Sequence, residues 1–115
     1  MLNQVVLVGR LVRDLSVNAS ENGTKVATLT LAVPRSFKNH DGLYDTDFID
    51  CVLWNSVAIN TSNYCKKGDI VGIKGRIQSR VVTSENEQNK SVMQVIAEKV
   101  TFLSNSNKVK AEEVN

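Results

Sequence analysis

The stretch TDFIDCVLWNSVAINTSNYCKKGD, residues 46–69, contains the pattern that decides the fold. Apolar and polar residues alternate over about 45–55, as in a β-strand with one buried side. The apolar residues on that side are Ile49, Cys51 and Leu53. Residues of about 56–66 then have the spacing of a short helix, and Gly68 is the residue type that ends helices. The sequence therefore predicts a strand followed directly by one short helix.

Four other segments predict strands, at about 2–13, 24–35, 70–82 and 92–103. Asn22-Gly23 before the second strand and Asp41-Gly42 before the third are turn signals. Five strands with one short helix between the third and fourth is the order of the oligonucleotide-binding (OB) fold, an all-β, partly open five-stranded barrel. Other small β-barrels share the strand pattern, but the position of the helix favours the OB-fold.

We predict one domain over residues 1–103 and a short, polar, disordered tail over 104–115. The first strand is unusual because its apolar residues occupy both sides. Val5, Leu7 and Leu11 share one side, and Val6, Val8 and Val12 share the other. A strand that is apolar on both sides is covered on both sides. The core is one cover, and the other is either a partner subunit contacting strand 2–13, our first hypothesis, or a second layer of the same chain.

Alternation also assigns side chains to the surface. In the third strand Phe48 and Trp54 lie opposite the core residues and about 20 Å apart at roughly 3.3 Å per residue. The second strand is predicted to direct Leu29, Leu31 and Val33 inward and Thr28 and Thr30 outward. The fourth is predicted to direct Val71, Ile73 and Ile77 inward and Lys74, Arg76, Gln78 and Arg80 outward. Arg35 and Lys38 flank Phe37, and Lys66 and Lys67 follow the helix.

Interleaved aromatics and cations suit a single nucleic-acid strand. Unpaired bases stack on aromatic rings at about 1–3 kcal/mol per base without reading sequence, and phosphates require cations. Each residue also has a plainer interpretation. Trp54 could pack under the following helix, Phe48 could be buried in a subunit contact, and the basic row could be an ordinary solvated surface.

Other classes of function find little support. The chain has one histidine, two cysteines without CxxC spacing, and no phosphate-binding glycine loop, so we expect no metal, no cofactor and no catalytic site. No apolar run approaches the roughly 20 residues that cross a bilayer, and no secretory signal opens the chain. We expect a soluble cytoplasmic protein whose cysteines are buried thiols. The net charge of +2 does not by itself indicate nucleic acid.

Several segments, taken together, resemble bacterial-type single-stranded DNA-binding protein. They are NQVVLVGRLVRD (3–14), TLAVPRSF (30–37), TDFIDCVLWN (46–55), NYCKKGDIVGIKGRIQSR (63–80) and VIAEKVTFL (95–103). The resemblance implies a homotetramer of OB-folds that pairs subunits through the first strand and wraps single-stranded DNA. By position, Phe37, Phe48 and Trp54 match base-stacking aromatics. Arg35, Lys67, Arg76 and Arg80 fall at basic or DNA-facing positions, to which the pattern above adds Lys38 and Lys74.

Among several departures from the family, two bear most directly on function. Val81-Val82 stand where an aromatic commonly follows Gln78-Ser79-Arg80, so one stacking residue is missing. The chain ends in NKVKAEEVN, without the acidic, Phe-tipped peptide that recruits replication and repair proteins in cellular members. We expect DNA coating in replication, recombination, repair or uptake, without tail-mediated partners, as in accessory, plasmid or phage versions or a truncated chain. The alternative is a primosome-type or protein-interaction OB-fold module that binds DNA only within a larger complex.

Overall fold

The computed structural model describes residues 1–86 and 88–104. Its elements are β1 (Val5–Leu11), β2 (Val17–Ala19), β3 (Lys25–Lys38), β4 (Tyr44–Trp54), α1 (Asn55–Tyr64), β5 (Ile70–Thr83) and β6 (Asn89–Ser104). The strands are ordered β1-β5-β6-β4-β3-β2, and β1 also pairs with β3. Five strands therefore close into a barrel, with β2 attached at the edge of β3. The predicted five-stranded OB-fold barrel is confirmed.

The short strand β2 is absent from the sequence-based prediction. It pairs with β3 from Val17 opposite Ala27 to Ala19 opposite Lys25, across the predicted Asn22-Gly23 turn. Gly23 in this turn has a φ of 84°, and glycine adopts this conformation at little free-energy cost because it has no Cβ. Because β2 adds one strand to the count, α1 lies between β4 and β5, at the place in the chain where the helix was predicted.

The barrel interior is formed by the side chains that alternation assigned to it. Leu29, Leu31, Cys51, Leu53, Val71 and Ile73 are all at most 1% exposed. Val33 and Ile49 are half-buried and pack against this core. On α1, Ala58 and Thr61 are buried, whereas Tyr64 at the end of the helix is 63% exposed.

The prediction that Ile77 belongs to the core is wrong, because this residue is 43% exposed. The last β5 residue that pairs with β1 is Gly75, opposite Val5. Beyond it β5 pairs only with β6, so residue 77 lies past the end of the barrel on the β5–β6 arm. Thr30, predicted to face away from the core, is only 8% exposed, and its hydroxyl lies 2.6 Å from the Asp50 carboxylate.

Two hairpins extend beyond the barrel. The β3–β4 arm continues past Pro34, where the register shifts: Pro34 and Lys38 are four positions apart on β3, whereas their partners Thr46 and Tyr44 are two positions apart on β4. The last β3 residue that pairs with β1 is Ala32, and Pro34 lies beyond it. Proline has no backbone N–H to donate, and at this position β1 does not require one. The β5–β6 arm begins near Gly75, where a Cβ would overlap the carbonyl oxygen of Ile96.

Candidate nucleic-acid interface

The two large aromatics of β4 are accessible on the outer side of the barrel. Phe48 is 67% exposed and Trp54 is 44% exposed, while the intervening Cys51 and Leu53 are fully buried. Trp54 immediately precedes α1 in extended conformation. It is half-exposed and therefore not enclosed beneath the helix, which was the plainer interpretation of this residue.

Strand pairing places the basic row of β5 on this same surface. Arg76 lies opposite Ile96 of β6, and Ile96 lies beside Val52 of β4. Paired residues of neighbouring strands share a side of the sheet, so the Arg76 side chain belongs to the surface that carries Phe48 and Trp54. The two strands are separated by two spacings, or about 10 Å.

The directions of the strands distribute the cations between the aromatics. β5 is antiparallel to β6 and β6 is parallel to β4, so β5 and β4 run in opposite directions. Arg80 therefore lies toward the Phe48 end of the surface, and Lys74 lies toward the Trp54 end. We call this surface, formed by the outer sides of β4, β5 and β6, the outer sheet.

The cations of the outer sheet differ in their surroundings. Arg76 is half-buried, and its Nη1 lies 3.5 Å from the Glu98 carboxylate. Arg80 is exposed, and no ion pair to it occurs within the described part of the chain. Lys74 is exposed but pairs with Val6 of β1, so it also borders the apolar outer side of β1.

The predicted group of Arg35, Phe37 and Lys38 lies on the β3–β4 arm, apart from the outer sheet. Phe37 is 64% exposed. Arg35 forms an ion pair with Asp47, in which the arginine Nη2 lies 3.0 Å from the carboxylate. The carboxylate of Asp45 lies 3.9 Å from Nη1 of the same arginine. Hydrogen bonding to Asp47 raises the pKa of Arg35, and the same interaction lowers the pKa of Asp47. Arg35 is thus already paired with acidic groups of its own chain.

Lys67 lies in neither group. It follows α1 in the loop before β5, where its backbone N–H donates to the Asp14 carboxylate at 2.7 Å. The next residue, Gly68, donates its N–H to the Leu11 carbonyl oxygen. This loop is thereby joined to the end of β1, and the exposed Lys67 side chain projects from it rather than from a strand.

Tyr44, which was not among the predicted site residues, is 56% exposed. The predicted third strand began at residue 45, whereas β4 begins at Tyr44. The alternation that selects Phe48 and Trp54 also selects Tyr44, so an earlier strand boundary would have found it. The Lys38 ammonium lies 5.9 Å from the centre of its ring.

The thiols and acidic groups offer little chemistry. Burial, with a smaller contribution from Asp50, raises the pKa of Cys51 to about 12. Burial, with a smaller contribution from Asp69, raises the pKa of Cys65 to about 11, so both thiols are neutral at physiological pH. Among residues 1–86 and 88–104, no group of three or more His, Cys, Asp or Glu side chains is arranged to hold a metal ion. No helix of the same residues is long and apolar enough to cross a membrane.

An OB-fold barrel with accessible aromatics and cations on one side of its sheet defines the class of oligonucleotide-binding barrels. The chain belongs to the single-strand binding protein family, whose pattern matches residues 2–103.

Three curated relatives show the extent of the similarity. The chain is 47% identical over 103 residues to "Single-stranded DNA-binding protein B" of Bacillus subtilis, covering 90% of this chain and 91% of that protein. It is 47% identical over 107 residues to "Single-stranded DNA-binding protein A" of the same organism, covering 93% and 62%. It is 46% identical over 103 residues to "Single-stranded DNA-binding protein" of Bacillus cereus, covering 90% and 61%. The chain thus spans about three-fifths of the length of the latter two relatives.

Proposed function

We propose that this chain binds and protects single-stranded DNA without strong sequence preference, as a homotetramer in the cytoplasm of a bacterium. The proposed setting is replication, recombination, repair or uptake, and the role is binding rather than catalysis. The names of the relatives support this proposal. The predicted DNA contacts are Phe37, Phe48, Trp54, Arg35, Lys38, Lys67, Lys74, Arg76 and Arg80.

The observation that carries the proposal is the composition of the outer sheet. Phe48 and Trp54 are exposed on the side of the sheet that also carries Arg76 and Arg80. Exposing rings of this size to water forgoes the stabilisation of burying them, which a base stacked on each ring would supply. Duplex DNA hides its base faces, so the surface fits an unpaired strand.

The outer side of β1 supports self-association. Val6 and Val8 are 67% and 52% exposed, so no second layer of the described chain covers them. Within the described residues, β1 pairs with β3 only at Arg10 and Leu11, and residues 5–9 have no strand partner on that edge. A cavity of about 400 Å³ lies beside this edge, between Val8 and Pro34. A second copy that paired along β1 would satisfy the backbone groups of this edge and place its own side chains beside both valines.

The C-terminal prediction, a disordered tail without recruiting peptide, concerns residues 104–115, of which 105–115 lie outside the described residues. It stays a prediction, as does the domain boundary at residue 103. A protein-interaction module remains the second candidate, because the β5–β6 arm carries exposed apolar residues where stacking is expected. Val81 is 67% exposed, Val82 39% and Met93 79%.

Titration of the purified chain with oligo-dT tests the proposal directly. The chain has one tryptophan, Trp54, and a stacked base is expected to quench its fluorescence. Phosphate contacts make the affinity fall as salt rises from about 50 to 200 mM. Absence of both quenching and DNA retention near physiological salt would refute the proposed function and favour the interaction module.

A further inference from the structure

Tyr44 extends the row of outer aromatics along β4. The residue is four positions before Phe48, a distance of about 13 Å at roughly 3.3 Å per residue. The extra residues of the register shift lie on β3, opposite an uninterrupted β4, so Tyr44 keeps the alternation of Phe48 and Trp54. Three aromatics therefore occupy the same side of a single strand.

The position of Tyr44 is fixed by its neighbours. The side-chain oxygen of Asn39 accepts the Leu43 N–H at 3.0 Å and the Asp41 N–H at 2.9 Å. The side-chain nitrogen of Asn39 donates to the Asp45 carboxylate at 3.0 Å. The residues on either side of Tyr44 are thus bonded to one side chain, which reduces the entropy that an incoming base would have to remove.

A cation accompanies the ring. Lys38 is the cross-strand partner of Tyr44, and its ammonium lies 5.9 Å from the centre of the ring. With the ammonium in this position the residue is still 56% exposed. An aromatic surface and a phosphate-binding charge are therefore adjacent, as in the surfaces that bind unpaired nucleic acid.

We propose that Tyr44 is a base-stacking residue that carries the DNA strand from the outer sheet onto the β3–β4 arm, with Lys38 contacting the neighbouring phosphate. The inference rests on the proposed function. At 3.4 Å per nucleotide in a stacked strand, the 13 Å between Tyr44 and Phe48 spans at most about four nucleotides. This chain thereby gains a stacking position on the arm while it lacks an aromatic at Val82.

Tyr44→Ala tests the inference, with binding of a long dye-labelled oligo-dT followed by anisotropy. Removal of one stacked base is expected to weaken binding about fivefold or more. Tyr44→Phe keeps the ring and is expected to bind as the unmodified chain does. Leu43→Ala is the matched control, because Leu43 is adjacent, 65% exposed and outside the aromatic row. Melting temperatures of all three variants verify the fold.

A second measurement reports contact rather than affinity. An oligonucleotide containing iodouracil, irradiated on the unmodified chain, is expected to cross-link to the peptide containing Tyr44. The inference would be overturned if Tyr44→Ala bound DNA with unchanged affinity, or if Tyr44→Ala and Leu43→Ala weakened binding equally. In either case, quenching of Trp54 fluorescence by DNA would still support the proposed function. Failure of the unmodified chain to bind any oligonucleotide would overturn both.

Discussion

Arg35 on β3 and Asp47 on β4 form a two-point ion pair, with Nη2 and Nε of the arginine 3.0 and 3.2 Å from the two carboxylate oxygens. Arg35 is expected to bind DNA by the family resemblance, yet a phosphate would have to displace or share this carboxylate. Hydrogen bonding to Arg35 lowers the pKa of Asp47, so the carboxylate is charged throughout the neutral range.

Arg35→Ala is therefore expected to weaken DNA binding less than Arg80→Ala, because Arg80 is exposed without a described ion pair. Asp47→Asn is expected to tighten binding at low salt, since it removes a negative charge and releases Arg35. Anisotropy titrations at two salt concentrations measure both effects, because removing one bound phosphate reduces the salt slope by about 1. Equally weakened binding by the two arginine variants would show that the ion pair does not restrain Arg35.

The combined variant Phe48→Ala with Trp54→Ala tests the outer sheet. Each stacked base contributes about 1–3 kcal/mol, so the double variant is expected to bind single-stranded DNA at least tenfold more weakly. Both side chains are exposed, and the assembly should remain intact in light scattering. Tyr64→Ala is a suitable control, because it removes a 63% exposed aromatic that lies at the end of α1. Unchanged affinity of the double variant would mean that the two rings do not stack bases.

Val6→Asp tests the subunit interface along β1. A carboxylate buried between two copies would lose its hydration, a cost that the neighbouring Lys74 of β5 does not fully offset. The variant is therefore expected to form a smaller assembly, measured by light scattering with and without a long oligonucleotide. Leu43→Asp places the same charge on an equally accessible apolar position, 65% exposed, and is expected to leave assembly unchanged. An undiminished mass for Val6→Asp would exclude this side of β1 from the interface.

The buried thiols are expected to make the folded protein less stable as the pH rises into the alkaline range. The pKa values of Cys51 and Cys65 are raised from 9.0 to about 12 and about 11 in the folded protein. Between about pH 9 and these values the unfolded chain releases thiol protons that the folded chain keeps, so stability falls as pH rises. Cys51→Ala with Cys65→Ala is expected to lower Tm overall through poorer packing, but to reduce the decline in Tm between about pH 8 and pH 10.5. An equal decline would show that other groups dominate.

Much of the barrel follows from local alternation. Leu29, Leu31, Cys51 and Leu53 could be assigned to the core because the side of a strand on which a residue lies depends only on its neighbours. The exposure of Ile77 could not be predicted in this way. It depends on where β1 stops pairing with β5, which is set by strands distant in sequence. The three-residue strand β2 is too short to produce a pattern.

The candidate site shows the same division. Alternation predicted that Phe48, Trp54 and the Arg76 row lie on outer surfaces, and pairing through β6 places them on one surface. The sequence could not show that Arg35 is paired with Asp47, because side-chain partners twelve positions apart depend on the hairpin register. Tyr44 was missed through a boundary error of one residue, which is within the usual uncertainty of strand ends.

The connectivity of the barrel also determines the order in which a newly made chain can fold. β2, β3 and β4 are consecutive and pair as soon as each has been synthesised. Val5 of β1, in contrast, pairs with Gly75, about 70 positions further along. At about 5–20 residues per second, translation of that interval takes roughly 4–14 s. During this time the valine-rich first strand remains without its main partner, so β1 completes its pairing only after β5 has been synthesised.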